Sequence, residues 1–174
     1  MNYTTDGVLT PLNVKQQQSF ASEADRVRKN LENNKRARKF LTEKGFSIDE
    51  LLGLLGSLQA FDGERSNLAV SECGIIKTDD VELLAMPLNL AIIKKFPGVL
   101  ACTGIEKPET RANVYFFGSK SLQAMHILHE LLHAASGKND PELAAQLGFT
   151  FPDGDESKTG ELSFFLAREC IATF

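Results

Sequence analysis

The residues best suited to chemistry lie in one short run, His129-Glu130-Leu131-Leu132-His133. Residues four apart share a helix face, so both imidazoles can reach a single ion. Zinc accepts neutral imidazole nitrogen at about 2.0–2.1 Å. Glu130 projects from nearly the same face. It would stand one step back from the ion, placed to take a proton from a water that the metal has acidified. On zinc that water reaches a pKa of about 7, which makes hydroxide available at neutral pH. The expected chemistry is hydrolysis, with Zn2+ as cofactor, His129 and His133 as ligands and Glu130 as general base.

The flanking residues support this reading. Ala124, Met125, Ile127, Leu128, Leu131, Leu132, Ala134 and Ala135 make the helix apolar almost all round, which predicts burial. A buried Glu is rare unless it is paired or close to a metal. His126 precedes His129 by three and borders the same face. As a lone extra histidine it reads as an ordinary, partly exposed side chain and is not counted as a ligand.

Other elements must position this helix. From about Val14 to Lys44 apolar residues recur at helical steps (Phe20, Ala24, Val27, Leu31, then Ala37, Phe40, Leu41), and Gly45 is a stop. Ser47-Ile48-Asp49-Glu50 has the capping-box form and opens a second helix carrying Leu51, Leu52, Leu54, Leu55 and Leu58. Gly53 and Gly56 would weaken that helix or allow close packing. Asp62-Gly63 is a turn signal. Leu68–Cys73, Val99–Thr103 and Arg111–Phe117 read as strands, with Pro87, Pro97 and Pro108 dividing the middle of the chain. Ser119 begins the helix that holds the motif, and Gly137 ends it. Asp140-Pro141-Glu142 reads as an N-cap followed by an N1 proline, and Gly148 closes that short helix. A last helix runs from about Gly160 to the end.

The motif helix, preceded by the strand Val114-Tyr115-Phe116-Phe117, resembles the zincin metallopeptidases over about Arg111 to Gly137. The resemblance implies an α+β, zincin-like domain with a small mixed sheet, a motif helix and flanking helices. It also implies a peptide or protein substrate, and a strand at the edge of the sheet that binds substrate backbone. The segment through Cys170, with its HELxH run, Gly137 and Asn139-Asp140, is similar to bacterial metallopeptidase-like proteins, some joined to RHS-type repeats. Residues 1–60 then form an N-terminal helical region, within the same domain or beside it, and 61–174 the metal-binding region.

A catalytic zinc site needs a third protein ligand and an open position. In the metzincin branch a Gly follows the second His by three and the third ligand by six. Here Ser136 and Asn139 stand at those places, Gly137 and Asp140 fall one residue later, and no Met-turn is visible. The gluzincin branch puts a Glu on a downstream helix, which points to Glu161. Both candidates stay open, Asp140 slightly ahead, because a capping role does not use every lone pair of a carboxylate. Glu161 otherwise reads as an acidic first turn facing the helix dipole. Glu169 is a lesser candidate and could pair with Arg168. Tyr115 is given no role.

Composition narrows the function classes. The chain has 174 residues, 19 Lys and Arg against 23 Asp and Glu, and a net charge of −4. That balance does not fit a dedicated duplex-DNA binder. A binding role for the basic stretch Arg26 to Lys39 is the alternative, with a solvated helix face as the simpler reading. A non-catalytic zinc site, closed by a fourth ligand such as His126, is another. Cys73, Cys102 and Cys170 form no disulfide framework and read as small buried hydrophobes. The acidic turn Asp153–Glu156 lacks the EF-hand positions and reads as solvated. The N-terminus shows no signal-peptide pattern, and no apolar run approaches the roughly 20 residues of a membrane span. The expectation is a soluble, cytoplasmic protein, with secretion by another route left open.

Overall fold

The computed structural model describes residues 9–73, 79–95, 99–104, 113–117 and 122–172. Residues 1–8, Pro97, Pro108, and the Arg111 and Ser119 starts assigned to a strand and to the motif helix all lie outside them.

The N-terminal helical pattern forms two helices, not one. Helix α1 (Val14–Asn33) starts at a capping box between Asn13 and Gln16. Asn34 then leaves the helix with φ −83° and ψ 100°, and its side chain accepts from the Arg36 and Ala37 amides to open α2 (Lys35–Glu43). Its Nδ2 also donates to Asn30 Oδ1 and to the Cys170 carbonyl. The break is therefore made by an asparagine that caps the second helix and ties it to the end of the chain. Gly45, at φ 89°, turns the chain out of α2. Ser47 caps α3 (Ile48–Ser57) through the Glu50 amide. A Cβ at Gly53 or Gly56 would meet nothing, so these glycines do not serve close packing.

The sheet has three strands, β1 (Gln59–Asp62), β2 (Ala101–Thr103) and β3 (Asn113–Phe116), in the order β1-β3-β2. β1 runs parallel to β3, with Ala60 opposite Val114, and β2 runs antiparallel to it, with Cys102 opposite Tyr115. The strand before the motif helix is thus the middle strand, and the edge near α6 is β2. This corrects the expected placement of β3 at the edge. The reason is β1, a strand the sequence pattern did not single out. Leu68–Cys73 is not a strand. Ala69 makes a lone bridge to Pro87, its amide is taken by the Glu72 carboxylate, and Val70–Glu72 winds into a 3-10 turn. Helices α4 (Val81–Ala85) and α5 (Leu88–Lys94) follow.

Alternation along the strands gives the sheet two buried faces. Ala101, Val114 and Phe116 join a core with Val27, Leu31, Leu51 and Leu55 from the N-terminal helices. Cys102, Tyr115 and Phe117 join a second cluster with Leu68, Val70, Cys73 and Leu88. The first core also holds the inward residues of α6 (Ala124–Ser136), α7 (Asp140–Leu147) and α8 (Thr159–Cys170). α6 lies at its centre, packed against α1, α3, α8 and β2. Gln123 is its N-cap but supplies no side-chain bond, and the Ala124 amide donates instead to Glu23 of α1, 2.9 Å away. The helix therefore opens at Ala124, where a distant carboxylate meets its first turn. The fold is α+β and mostly helical. No helix of the described residues is long and apolar enough to cross a membrane.

Candidate metal centre

The i, i+4 spacing does place both imidazoles on one face of α6. Their rings lie 4.7 Å apart at 31°. Gly137, at φ 66°, then reverses the chain in a left-handed turn. Asn139, not Asp140, is the N-cap of α7. Its side chain accepts from the Glu142 amide while Glu142 Oε2 accepts from the Asn139 amide. This corrects the expected cap and frees the Asp140 carboxylate, which turns back to α6 from the first helical position.

Asp140 Oδ1 lies 2.7 Å from His129 Nε2 and 3.1 Å from His133 Nε2, and all three side chains are buried. The other ring nitrogens are engaged as well. His133 Nδ1 is 2.6 Å from the Lys138 carbonyl, and His129 Nδ1 is 2.8 Å from Ser163 Oγ. A carbonyl only accepts, so His133 Nδ1 must carry a proton. In the neutral ring Nε2 then holds a lone pair, and it faces a carboxylate oxygen. Two acceptors confront each other unless positive charge lies between them. The electrostatics express the same demand. Burial works to lower the His133 pKa. The hydrogen bond to Asp140 and the charges of Glu130 and Asp140 outweigh it and raise the pKa to about 9. Burial opposes ionisation of Asp140, yet bonds from His129 and His133 hold it far below the usual carboxylate range.

A metal ion is the other way to supply that charge. The donor atoms of His129, His133 and Asp140 lie within 4.8 Å of one another, the one such group among the described residues. Two donors at zinc distances are about 3.3 Å apart in a tetrahedron. The present Asp140 separations of 2.7 and 3.1 Å would have to open by about 0.6 and 0.2 Å. The bonds at both Nδ1 atoms are the kind that orient metal-binding histidines.

Glu130 is buried beside this group. Its Oε2 accepts from Thr103 Oγ1 of β2 at 2.7 Å. A cleft opens here, walled by Val99–Ala101, His126, His129, Glu130, Asp140 and the first turns of α8. His126 lies in the cleft wall, half-buried and outside the donor group. Burial chiefly, and His129 nearby, lower its pKa, so the ring is neutral at pH 7.

No family model, curated protein or solved structure matches the chain. The reading of the site rests on its own geometry.

Glu161 is not brought to the donor group. It is exposed on the first turn of α8, while Ser163, two residues on, faces inward. Glu169 pairs with Arg36 at 3.0 Å, not with Arg168. Tyr115 is buried on the sheet face away from α6. The basic residues of α1 and α2 are largely engaged within the chain: Arg28 and Lys29 with Asp25, Arg38 with the Leu31 carbonyl, Lys39 with Glu43. The three cysteines are buried free thiols. Asp153 and Asp155 are exposed and bond to Lys158 and Ser157.

Sequence reasoning missed Ser163, Thr103 and the Lys138 carbonyl. Ser163 adjoins the buried Leu162 on the helix that carries Leu166 and Cys170, a face assignment available from periodicity. A backbone carbonyl leaves no mark in residue type.

Proposed function

We propose that this chain is a zinc-dependent hydrolase acting on a peptide or protein. The observation that carries the reading is the facing of two imidazole Nε2 atoms onto one Asp140 oxygen, with His133 Nδ1 already committed as a donor. Two histidines and a carboxylate are a three-ligand set that leaves a position open, as hydrolytic zinc requires. When bound, the ion supplies Lewis acidity and acidifies water.

The chain's own residues do the rest. His129 and His133 would hold the ion with Asp140, their orientation set by Ser163 and the Lys138 carbonyl. Glu130 stands beside them with Thr103 on one oxygen, placed to accept a proton from water and return it to the leaving amine. Val99, Leu100 and Ala101 form the β2 side of the cleft. Peptide as the substrate class is supported by the resemblance of the motif helix and its preceding strand to zincins.

The test begins with elemental analysis of protein purified without nickel or chelators, beside a His129→Ala/His133→Ala variant. About one zinc per wild-type chain, absent from the variant, is expected. A peptide-library assay follows, in which Glu130→Gln keeps the metal and loses about 10²–10⁴ in turnover. A wild type that neither contains nor takes up zinc overturns the reading.

A further inference from the structure

We propose that Thr103 is the positioning residue of Glu130: its hydroxyl, carried on β2, holds one carboxylate oxygen and leaves the other to the cleft. The inference rests on the hydrolase reading and gives the general base a partner on the sheet.

Thr103 Oγ1 lies 2.7 Å from Glu130 Oε2 and 3.3 Å from the Glu130 backbone oxygen, and both residues are buried. The hydroxyl has one hydrogen, and the nearer oxygen, Oε2, takes it. Among the described residues no bond engages Oε1, yet Oε1 is not a buried atom left without a partner. It is therefore the oxygen open to the cleft that Glu130 lines.

The anchor is stiff. Thr103 is β-branched, which restricts its χ1, and its backbone pairs with Val114 of the middle strand. A glutamate side chain has several rotatable bonds, and Thr103 is the one side chain among the described residues that bonds its carboxylate. The same strand walls the cleft. Ala101 shares the Thr103 side of β2 by alternation and lines the cleft with Val99 and Leu100. Base and wall are thus set by one piece of backbone. A contact serving only the fold could be apolar, since exchanging both partners for apolar groups of similar shape is nearly neutral.

Two variants test this. Thr103→Val keeps the shape and removes the hydroxyl, and Thr103→Ser keeps the hydroxyl and removes the methyl. Thr103→Val should keep its zinc and its KM on the best library peptide and lose about 10–100-fold in kcat. Thr103→Ser should recover most of that loss. Added to Glu130→Gln, Thr103→Val should cost nothing further, because it acts through Glu130. In crystals of the metal-free proteins the Glu130 carboxylate should leave its place in Thr103→Val and keep it in Thr103→Ser. Should Thr103→Val fail to fold, Thr103→Ala against Thr103→Ser carries the same comparison.

Wild-type kcat in Thr103→Val, equal losses in the Val and Ser variants, or an unmoved Glu130 carboxylate would overturn the proposal. So would loss of zinc, or a raised KM at wild-type kcat, which would assign Thr103 to the metal or the substrate. The hydrolase reading fails separately, if wild type and Glu130→Gln are equally inactive on the library. The crystal comparison would then decide alone whether Thr103 positions Glu130.

Discussion

Helices α7 and α8 both start beside the centre, and both carry an acidic residue in the first turn, yet only α7 delivers it. In α7 the capping work is done by Asn139 and Glu142, so Asp140 is free to face α6. In α8 no side chain caps the first turn, Glu161 points outward, and Ser163 takes the inward position. The two starts differ in capping and in helical phase. A carboxylate one or two residues from the right phase is as distant chemically as no carboxylate at all.

The contrast can be broken most sharply by exchanging charge for amide at each start. Asp140→Asn should weaken zinc binding by on the order of 10³-fold, because one of three ligands is lost. Glu161→Gln should leave it unchanged. A competition titration with a chelating dye reads both, and equal losses would erase the distinction. Next in size is Ser163→Ala, which frees His129 Nδ1. A drop of about 10–100-fold in zinc affinity is expected in the same assay, with the stoichiometry retained.

A smaller effect belongs to the metal-free protein and pH. The folded His133 pKa, about 9, stands above its ordinary value of 6.5. Its contribution is therefore full below about pH 6.5 and is lost as pH rises through 9. Urea midpoints should fall between those values by an amount worth on the order of 1–3 kcal/mol. Glu161→Gln should keep the fall and Asp140→Asn should lack it. Smallest is Asn139→Ala, which removes the α7 cap and should cost about 1 kcal/mol in urea unfolding. If that variant also lost zinc affinity, Asp140 would have been drawn into capping, which links the two roles directly.

How much of this was legible in the sequence depends on the range of the interaction. The pairing of His129 with His133 is a property of helical spacing and needed no tertiary information. Asp140 was a candidate with its cap assigned one residue late, since Asn and Asp are near-equal N-caps and only backbone geometry separates them. The interruption at Asn34 was hidden because apolar periodicity continues through Ala37 and Leu41 on the far side. β1 escaped because four residues, Gln59–Asp62, pair with a strand more than fifty positions later. Leu68–Cys73 has strand-like residues but turns at Val70, where side-chain and loop bonds replace a ladder. Each miss involves a partner distant in the chain or a backbone atom.

The candidate triad is, by contrast, nearly self-contained. His129 and Asp140 are only eleven positions apart, joined by about two helical turns and one glycine reversal. Bringing its members together closes a short loop and carries a correspondingly small entropic penalty. Ser163 lies thirty-four positions beyond His129 and arrives with a separate helix. During synthesis the three side chains of the triad therefore leave the ribosome before the hydroxyl that orients one of them. An ion captured by the nascent chain would be gripped first and aligned afterwards, when α8 docks.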